Sequence, residues 1–565
     1  MNRNRGSLFL FAFFFAASSM AQNNNSTLTD RQKELQVLNR LSFGPRAEDL
    51  DHIHKIGISA FIEEQLHPEK MDDSACDKEL KKYPLVFKTS EELMALYPDP
   101  NNPTRRPELR GKVKDKKSAD EAYRDIDRMR VEVGAAKITR AVYSRRQLQE
   151  VMADFWFNHF NVHFWKNEVP WLIIPYDRDV IRAHALGKFK DLLLAVAQSP
   201  AMLVYLDNAS NHADPTGKAS TSGKPGMRIN ENYGRELLEL HTVGVNGGYT
   251  QQDVINAARV LTGWGLTGMN YNSAPVPVGF MFKPYQHDNG VKVVLGHNFG
   301  PILSRGPQAE GQALGVPGQG AKPVEPPTGP GQGGVEEGVQ LIDFLSVHPS
   351  TAHFIATKLC RRFVCDDPPE DLVKRVADRF QATDGDIRQT LKAIFESPEF
   401  MEPRFYQVKI KTPFEFAASS LRVAGTTIVR CDEILWRLEG MGEPLYLCEP
   451  PTGYPDVAKA WLGSGSLLSR LNFAGAVFSH PYGGEFRTNI DNLAGNAPYD
   501  DGKMALDNLI HNLLLDNISE ASRQSLEKQI QDPSISSVPL AGKKKGVDLK
   551  KVAALVLSVP EFQKR

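Results

Sequence analysis

The chain is poor in cysteine, carries no excess charge of either sign, and has only one long apolar run. Its five cysteines are Cys76, Cys360, Cys365, Cys431 and Cys448. They form no C-x-x-C pair, which argues against a thioredoxin-like centre or a structural zinc site. No C-x-x-C-H follows either, so covalent haem is excluded. An odd count leaves one thiol unpaired even in an oxidising compartment. Cys431 with Cys448 is the best-placed pair, because Gly440, Gly442 and Pro444 let the chain turn back between them. Cys360 and Cys365 lie in ATKLCRRFVC, which reads as helix and points them apart. The G-x-S-x-G elbow, the P-loop and the Rossmann glycines are absent, as is H-E-x-x-H, which disfavours the hydrolases and nucleotide enzymes built on them. Lys plus Arg number 67 against 68 Asp plus Glu, so no global field recruits nucleic acid or anionic lipid.

The single apolar run, LFLFAFFFAA from Leu8 to Ala17, follows Arg3 and Arg5 and precedes SSMAQ. It is shorter than the ~20 residues that span a bilayer. Ser19 and Ala21 bracket Met20 as a signal peptidase site requires. Residues 1–21 therefore read as a cleaved signal peptide, and the mature chain as secreted or periplasmic with no later membrane span. No cysteine follows the cut, which argues against a lipoprotein anchor.

What is present is mostly helical punctuation, in a chain 41% hydrophobic and 24% charged. DRQKELQVLNRLSFG predicts an amphipathic helix capped by Asp30 and closed at Gly44-Pro45. Two long helices are expected between Asp115 and Phe164. LLLAVAQSPAML, LKAIFESPEFM and VAALVLSVPEF each predict one helix ending and a short one starting at the proline. Thr250 and Asp253 have capping-box spacing. Strand signal is confined to FMFKPYQHDNGVKVVLG, where Asn289-Gly290 predicts a hairpin turn. Loops are expected at 209–227 and in the Gly/Pro-rich 304–334. The fold class is thus all-α, one large multi-helix domain over 22–565 with one small β-hairpin and long Gly/Pro-rich loops.

Two polar clusters carry chemistry. In NENYGRELLELHTVG (230–244), Glu231, Asn232, Arg235, Glu236 and Glu239 fall within a helical arc of about 140°. Glu231, Arg235 and Glu239 form an i, i+4 ladder that suits a solvated face. Alternatively, Glu236 and Glu239, one turn apart, aim two carboxylates into a cleft to bind a metal or to act as acid and base. In QEVMADFWFNHFNVHFW (149–165), His159 and His163 lie four apart on the aromatic side of a helix, in register to share a metal or face a pocket. Arg182 and His184 in RDVIRAHALGKFKDLL, and His287 beside the predicted turn, are further candidates.

LNRLSFGP (38–45), FWFNHF (155–160), RAHALGKFKDLL (182–193), SPAMLVYLDN (199–208), NENYGRELLELHTVGV (230–245) and YTQQDVINAARVLTGW (249–264) follow one another in the order of the bacterial family DUF1800, a domain of unknown function. HDNGVKVVLG (287–296), ATKLCRRFV (356–364), KIKTPFEF (409–416), GYPDVAKAWL (453–462) and SRLNFA (469–474) continue the resemblance to the C-terminus. It implies a secreted or periplasmic, mainly helical bacterial protein, often encoded beside a sulfatase-like one, and supplies no activity. Its pattern includes Asn158-His159-Phe160 and Asn230, Glu231, Asn232, Arg235, Glu236 and Glu239. Gly234 stands where the family commonly has Ala, and His241 where Phe or Tyr is frequent.

These readings lead to one expected polar site. His159 would be general base or metal ligand, Glu236 and Glu239 ligands or an acid–base pair, and Arg235 their orienting cation. Arg182, His184, His287 and Asn232 would contact substrate. The cofactor would be a divalent metal ion and the reaction metal-assisted hydrolysis. The rival is a non-catalytic binding or assembly protein, whose polar residues form a buried network fixing helix packing.

Overall fold

The computed structural model describes residues 27–97, 116–213, 229–268, 277–300, 333–479, 486–498, 500–539 and 545–565. Helices dominate, with strands confined to small two-stranded sheets among the described residues. Buried side chains from Leu35 to Phe562 form one contiguous apolar cluster. No described helix is long and apolar enough to cross a membrane. Residues 1–21, most of the 209–227 loop and nearly all of 304–334 lie outside the described residues.

The two long helices run Lys116–Tyr143 and Gln147–His159. Between them the Ser144 hydroxyl and the Arg145 amide both bond Asp73 at 2.8 Å, which turns the chain. The second helix stops at His159, so His159 and His163 do not share a helical face. The chain is drawn away here. Asn161 donates to the Cys448 and Pro450 carbonyls at 2.9 Å, and the Tyr176 hydroxyl takes the Phe160 carbonyl at 2.7 Å.

The first helix, Asp30–Leu41, is capped by Thr29 in a capping box with Gln32, one residue earlier than expected. The Thr250–Asp253 box opens Gln251–Val260 as its spacing predicts. Two Ser-Pro junctions start short helical turns, at Pro200–Tyr205 and Pro398–Met401. The third leads into turns with no helix after Val556.

The strand reading needs correction. Gly279–Phe282 pairs with Trp264–Thr267, and Lys292–Val294 with His297–Phe299. The tight turn is Leu295-Gly296, whose φ values of 49° and 78° give the left-handed pair that a two-residue hairpin needs. At Asn289-Gly290 the Gly290 amide instead bonds Asp288, whose carboxylate is gripped by both ends of the Arg259 guanidinium. The expected Cys431–Cys448 bridge is likewise not formed. The Cys431 sulfur lies 3.4 Å from the Tyr83 hydroxyl, and the Cys448 sulfur 3.8 Å from the Pro450 carbonyl.

The 230–244 segment is a short α-helix, Asn232–Glu236, continuing as one π-helical turn, Leu237–His241. A Cβ on Gly234 would lie 2.7 Å from the Ala258 nitrogen and 2.9 Å from the Val254 oxygen. Glycine therefore lets this segment press directly on the Gln251–Val260 backbone. A second π-helical stretch, Tyr176–Arg182, packs against Gln147–His159.

Candidate functional site

Most of the residues expected to meet in one hollow have partners of their own. His159 is 2% exposed, stacked among Phe155, Trp156, Phe160 and Phe354. Its Nε2 lies 3.2 Å from the His241 carbonyl, which can only accept, so Nε2 carries the proton. Its Nδ1 is buried without a partner, as is that of His241, whose ring centroid is 6.3 Å away. Burial, then the Lys358 charge, holds both imidazoles below their ordinary range, His241 at about 3. They are neutral rings in an aromatic wall.

Glu236 and Glu239 lie elsewhere. Burial, then Glu239, raises the Glu236 carboxyl, while Glu239 accepts from the Tyr249 hydroxyl at 2.8 Å. Arg235 contacts Glu231 at 3.4 Å and Gln251 at 2.9 Å, and Gln251 returns to Glu231 at 2.6 Å. Glu231 and Arg235 thus keep the expected solvated pairing, while Glu239 leaves the ladder for Tyr249. Asn232 donates to the Leu206 carbonyl at 3.3 Å.

The remaining candidates are held by their own neighbours. Arg182 pairs with Glu150, and His184 Nδ1 bonds the Val180 carbonyl at 2.8 Å. His287 is buried between the Thr262 carbonyl at 2.8 Å and Glu337 at 3.3 Å, and Glu337 also pairs with Lys292 at 2.6 Å. Among the described residues no group of three or more His, Cys, Asp or Glu is placed to hold a metal ion. His159, Glu236 and Glu239 therefore do not fit one as a set.

A different set of side chains lines a cavity of about 70 Å³. Its walls come from Gln147–His159, from residues 409–415 at the start of the Pro413–Val423 helix, and from the loop 443–461. Asn158, the signature asparagine, fixes that loop. Its Oδ1 accepts from the Tyr454 amide at 2.7 Å and its Nδ2 donates to the Tyr454 carbonyl at 2.9 Å. Gly453 is at φ +71°, and a Cβ there would lie 2.2 Å from the Asn158 carbonyl oxygen, so the approach requires glycine. The Tyr454 hydroxyl bonds the Pro444 carbonyl at 2.7 Å, and the Trp461 indole bonds the Pro455 carbonyl at 3.2 Å.

Charge is concentrated here. Lys137, Arg362, Lys409 and Arg565 face Asp154, Glu415, Glu443 and Asp456. Lys137 Nζ lies 2.5 Å from Asp154, with the Phe157, Phe414 and Tyr446 rings around it at 5.3–5.4 Å. Glu443 accepts the Phe414 amide at 2.7 Å. Burial, then the neighbouring Asp154, pushes its carboxyl up to about 8. A carboxyl that keeps its proton at neutral pH, beside a Lys–Asp pair, can donate that proton to something bound.

Sequence reasoning missed this group. ATKLCRRFV, KIKTPFEF and GYPDVAKAWL contain Arg362, Lys409, Glu415 and Asp456, but as isolated letters in separate segments. No curated protein and no solved structure matches the chain. The family model described as "Protein of unknown function (DUF1800)" matches residues 36–564, nearly the whole length. The chain belongs to the DUF1800 family.

Proposed function

We propose that the working site is the charged cavity walled by residues 137–158, 409–415 and 443–461, and that the protein binds a small polar ligand there with Glu443 as proton donor. One observation carries this reading: a buried, protonated carboxyl lining a cavity that also holds the Lys137–Asp154 pair. Lys137 and Asp154 hold the local field, while Asn158 and Asn161 position the loop that closes over it.

Metal-assisted hydrolysis at His159, Glu236 and Glu239 has weaker support, because those groups face different surroundings. The binding or assembly reading fits them better: His159 and His241 fill an aromatic wall, and Arg235 belongs to a surface ladder. The signal-peptide reading of 1–21, and export of 22–565 as one unit, stand with this proposal. N-terminal sequencing of protein recovered outside the cytoplasm tests them.

Carbon-13 NMR of carboxyl-labelled glutamate, with Glu443→Gln to assign the resonance, tests the site. The expected result is one carboxyl signal that stays protonated at pH 7 and vanishes in the variant. A Glu443 already ionised at pH 7 removes the proton donor and the reading with it.

A further inference from the structure

We propose that the part of this cavity where Arg362 and Arg565 meet Glu415 is a subsite for an oxyanion: a phosphate, sulfate or carboxylate group carried by the ligand. The inference rests on the reading of the cavity as the working site and names the class of ligand. Arg362 Nη1 lies 2.7 Å from one Glu415 oxygen, and Arg565 Nε 3.2 Å from the other. That second oxygen also accepts the Thr412 amide at 2.9 Å, so one carboxylate serves two guanidinium groups and a helix cap. Arg565 Nη1 is buried with no partner.

Unpartnered donors recur in the surroundings. Lys409 pairs with Asp366, and Asp456 answers Lys358 at 3.6 Å. Arg40 is fully buried, and Arg362 is the neighbouring charge that acts on it most strongly. Only its Nη2 is bonded, to the Phe405 carbonyl at 2.9 Å, while Nε and Nη1 have no partner. Arg470 and Lys411 also lie near Glu415, and burial lowers the Lys411 amine to about 7. Arg40, Arg362, Lys409 and Arg565 thus crowd together with Glu415, Asp366, Asp456 and the α-carboxylate of Arg565 itself, and donors on Arg40 and Arg565 stay without an acceptor.

A buried N–H without an acceptor is costly, so an arrangement serving packing alone would satisfy these donors. An anion entering from the cavity side supplies what is missing. Guanidinium N–H groups match oxyanions in pairs, which lysine cannot do. The space suffices, since a water takes roughly 10–15 Å³ on this measure and the cavity offers about 70 Å³.

The test is calorimetric titration of the signal-free chain with inorganic phosphate, sulfate and acetate in turn, at ionic strength held constant with sodium chloride. Saturable binding of at least one is expected, weakened about tenfold in Arg565→Gln and strengthened in Glu415→Gln, which removes the internal competitor. Near-ultraviolet circular dichroism of each ligand-free variant checks the fold. Phosphate or sulfate binding without acetate assigns a tetrahedral group, and the reverse a carboxylate. Heats no larger than those of chloride, or binding that Arg565→Gln and Glu415→Gln leave unchanged, overturn the subsite. If that happens while Glu443 stays protonated at pH 7, the cavity reading survives alone. Arginine-dependent anion binding with Glu443 ionised retains the subsite and removes the proton donor.

Discussion

The aromatic wall around His159 and the charged cavity lie at opposite uses of one helix, Gln147–His159. Both hold buried polar groups with unpartnered atoms. Around His159 the aromatic rings crowd in, and burial has already made the imidazoles neutral. At the cavity, space remains and so does charge. An orphaned nitrogen in a closed aromatic wall is a tolerated packing cost. An orphaned guanidinium beside open volume asks for a ligand.

That contrast is broken most severely at Lys137. Lys137→Met removes the partner of Asp154 and leaves a carboxylate beside Glu443. Removing half of a buried pair costs ~3–5 kcal/mol, and the lower end applies because Asp154 keeps 25% of its side chain in water. Urea unfolding should show a loss of about 3 kcal/mol, largely recovered when Asp154→Leu is added. A loss below half a kcal/mol would place the pair in effectively aqueous surroundings and erase the difference between the regions.

Glu443 gives an effect of comparable size, spread over pH. Its folded value, about 8, lies above the ordinary 4.5. The stability it contributes is complete below pH 4.5 and is lost as pH rises through 8. Within that window wild type should lose ~1.4 kcal/mol per pH unit relative to Glu443→Gln. Parallel stability curves for the two proteins from pH 5 to 8 would contradict a protonated carboxyl.

How much of this was legible in the sequence depended on distance along the chain. The Thr250–Asp253 box and the prolines opening two short helices are local effects, and their spacing predicts them. The hairpin failed through a tertiary contact: Arg259 captures Asp288 and converts Asn289-Gly290 into a side-chain-supported turn. The expected His159–His163 face failed because Asn161 is held by the 448–450 backbone. The cavity was invisible for the same reason at larger scale. Lys137, Arg362, Glu415, Glu443 and Arg565 come from five separate segments, and no spacing rule joins them.

A smaller effect sharpens the wall side of the comparison. His241 is 1% exposed, and its centroid lies 5.0 Å from Phe160 and 6.2 Å from Tyr233. His241→Phe deletes a buried nitrogen without a partner and leaves the backbone carbonyl that His159 uses. Stability at pH 7 should change by no more than about 1 kcal/mol, with a gain expected where the larger ring fits. The low folded value of His241, about 3, also means that the unfolded chain takes up a proton below pH 6.5 that the native one refuses. Wild type should therefore weaken from pH 6.5 towards 3 more steeply than His241→Phe. A large loss at neutral pH would give this ring a role beyond filling space.

The smallest effect concerns the polar arc of Asn230–Gly244. Arg235 and Glu231 are each 39% exposed and share Gln251 with a neighbouring helix. Exposed pairs of this kind contribute ~0.2–0.5 kcal/mol. Arg235→Ala should therefore move the urea midpoint barely beyond error and leave any anion affinity of the cavity unchanged. If it instead abolishes that affinity while the fold persists, the signature helix and the cavity are coupled. The polar arc would then belong to the working site despite its surface ladder.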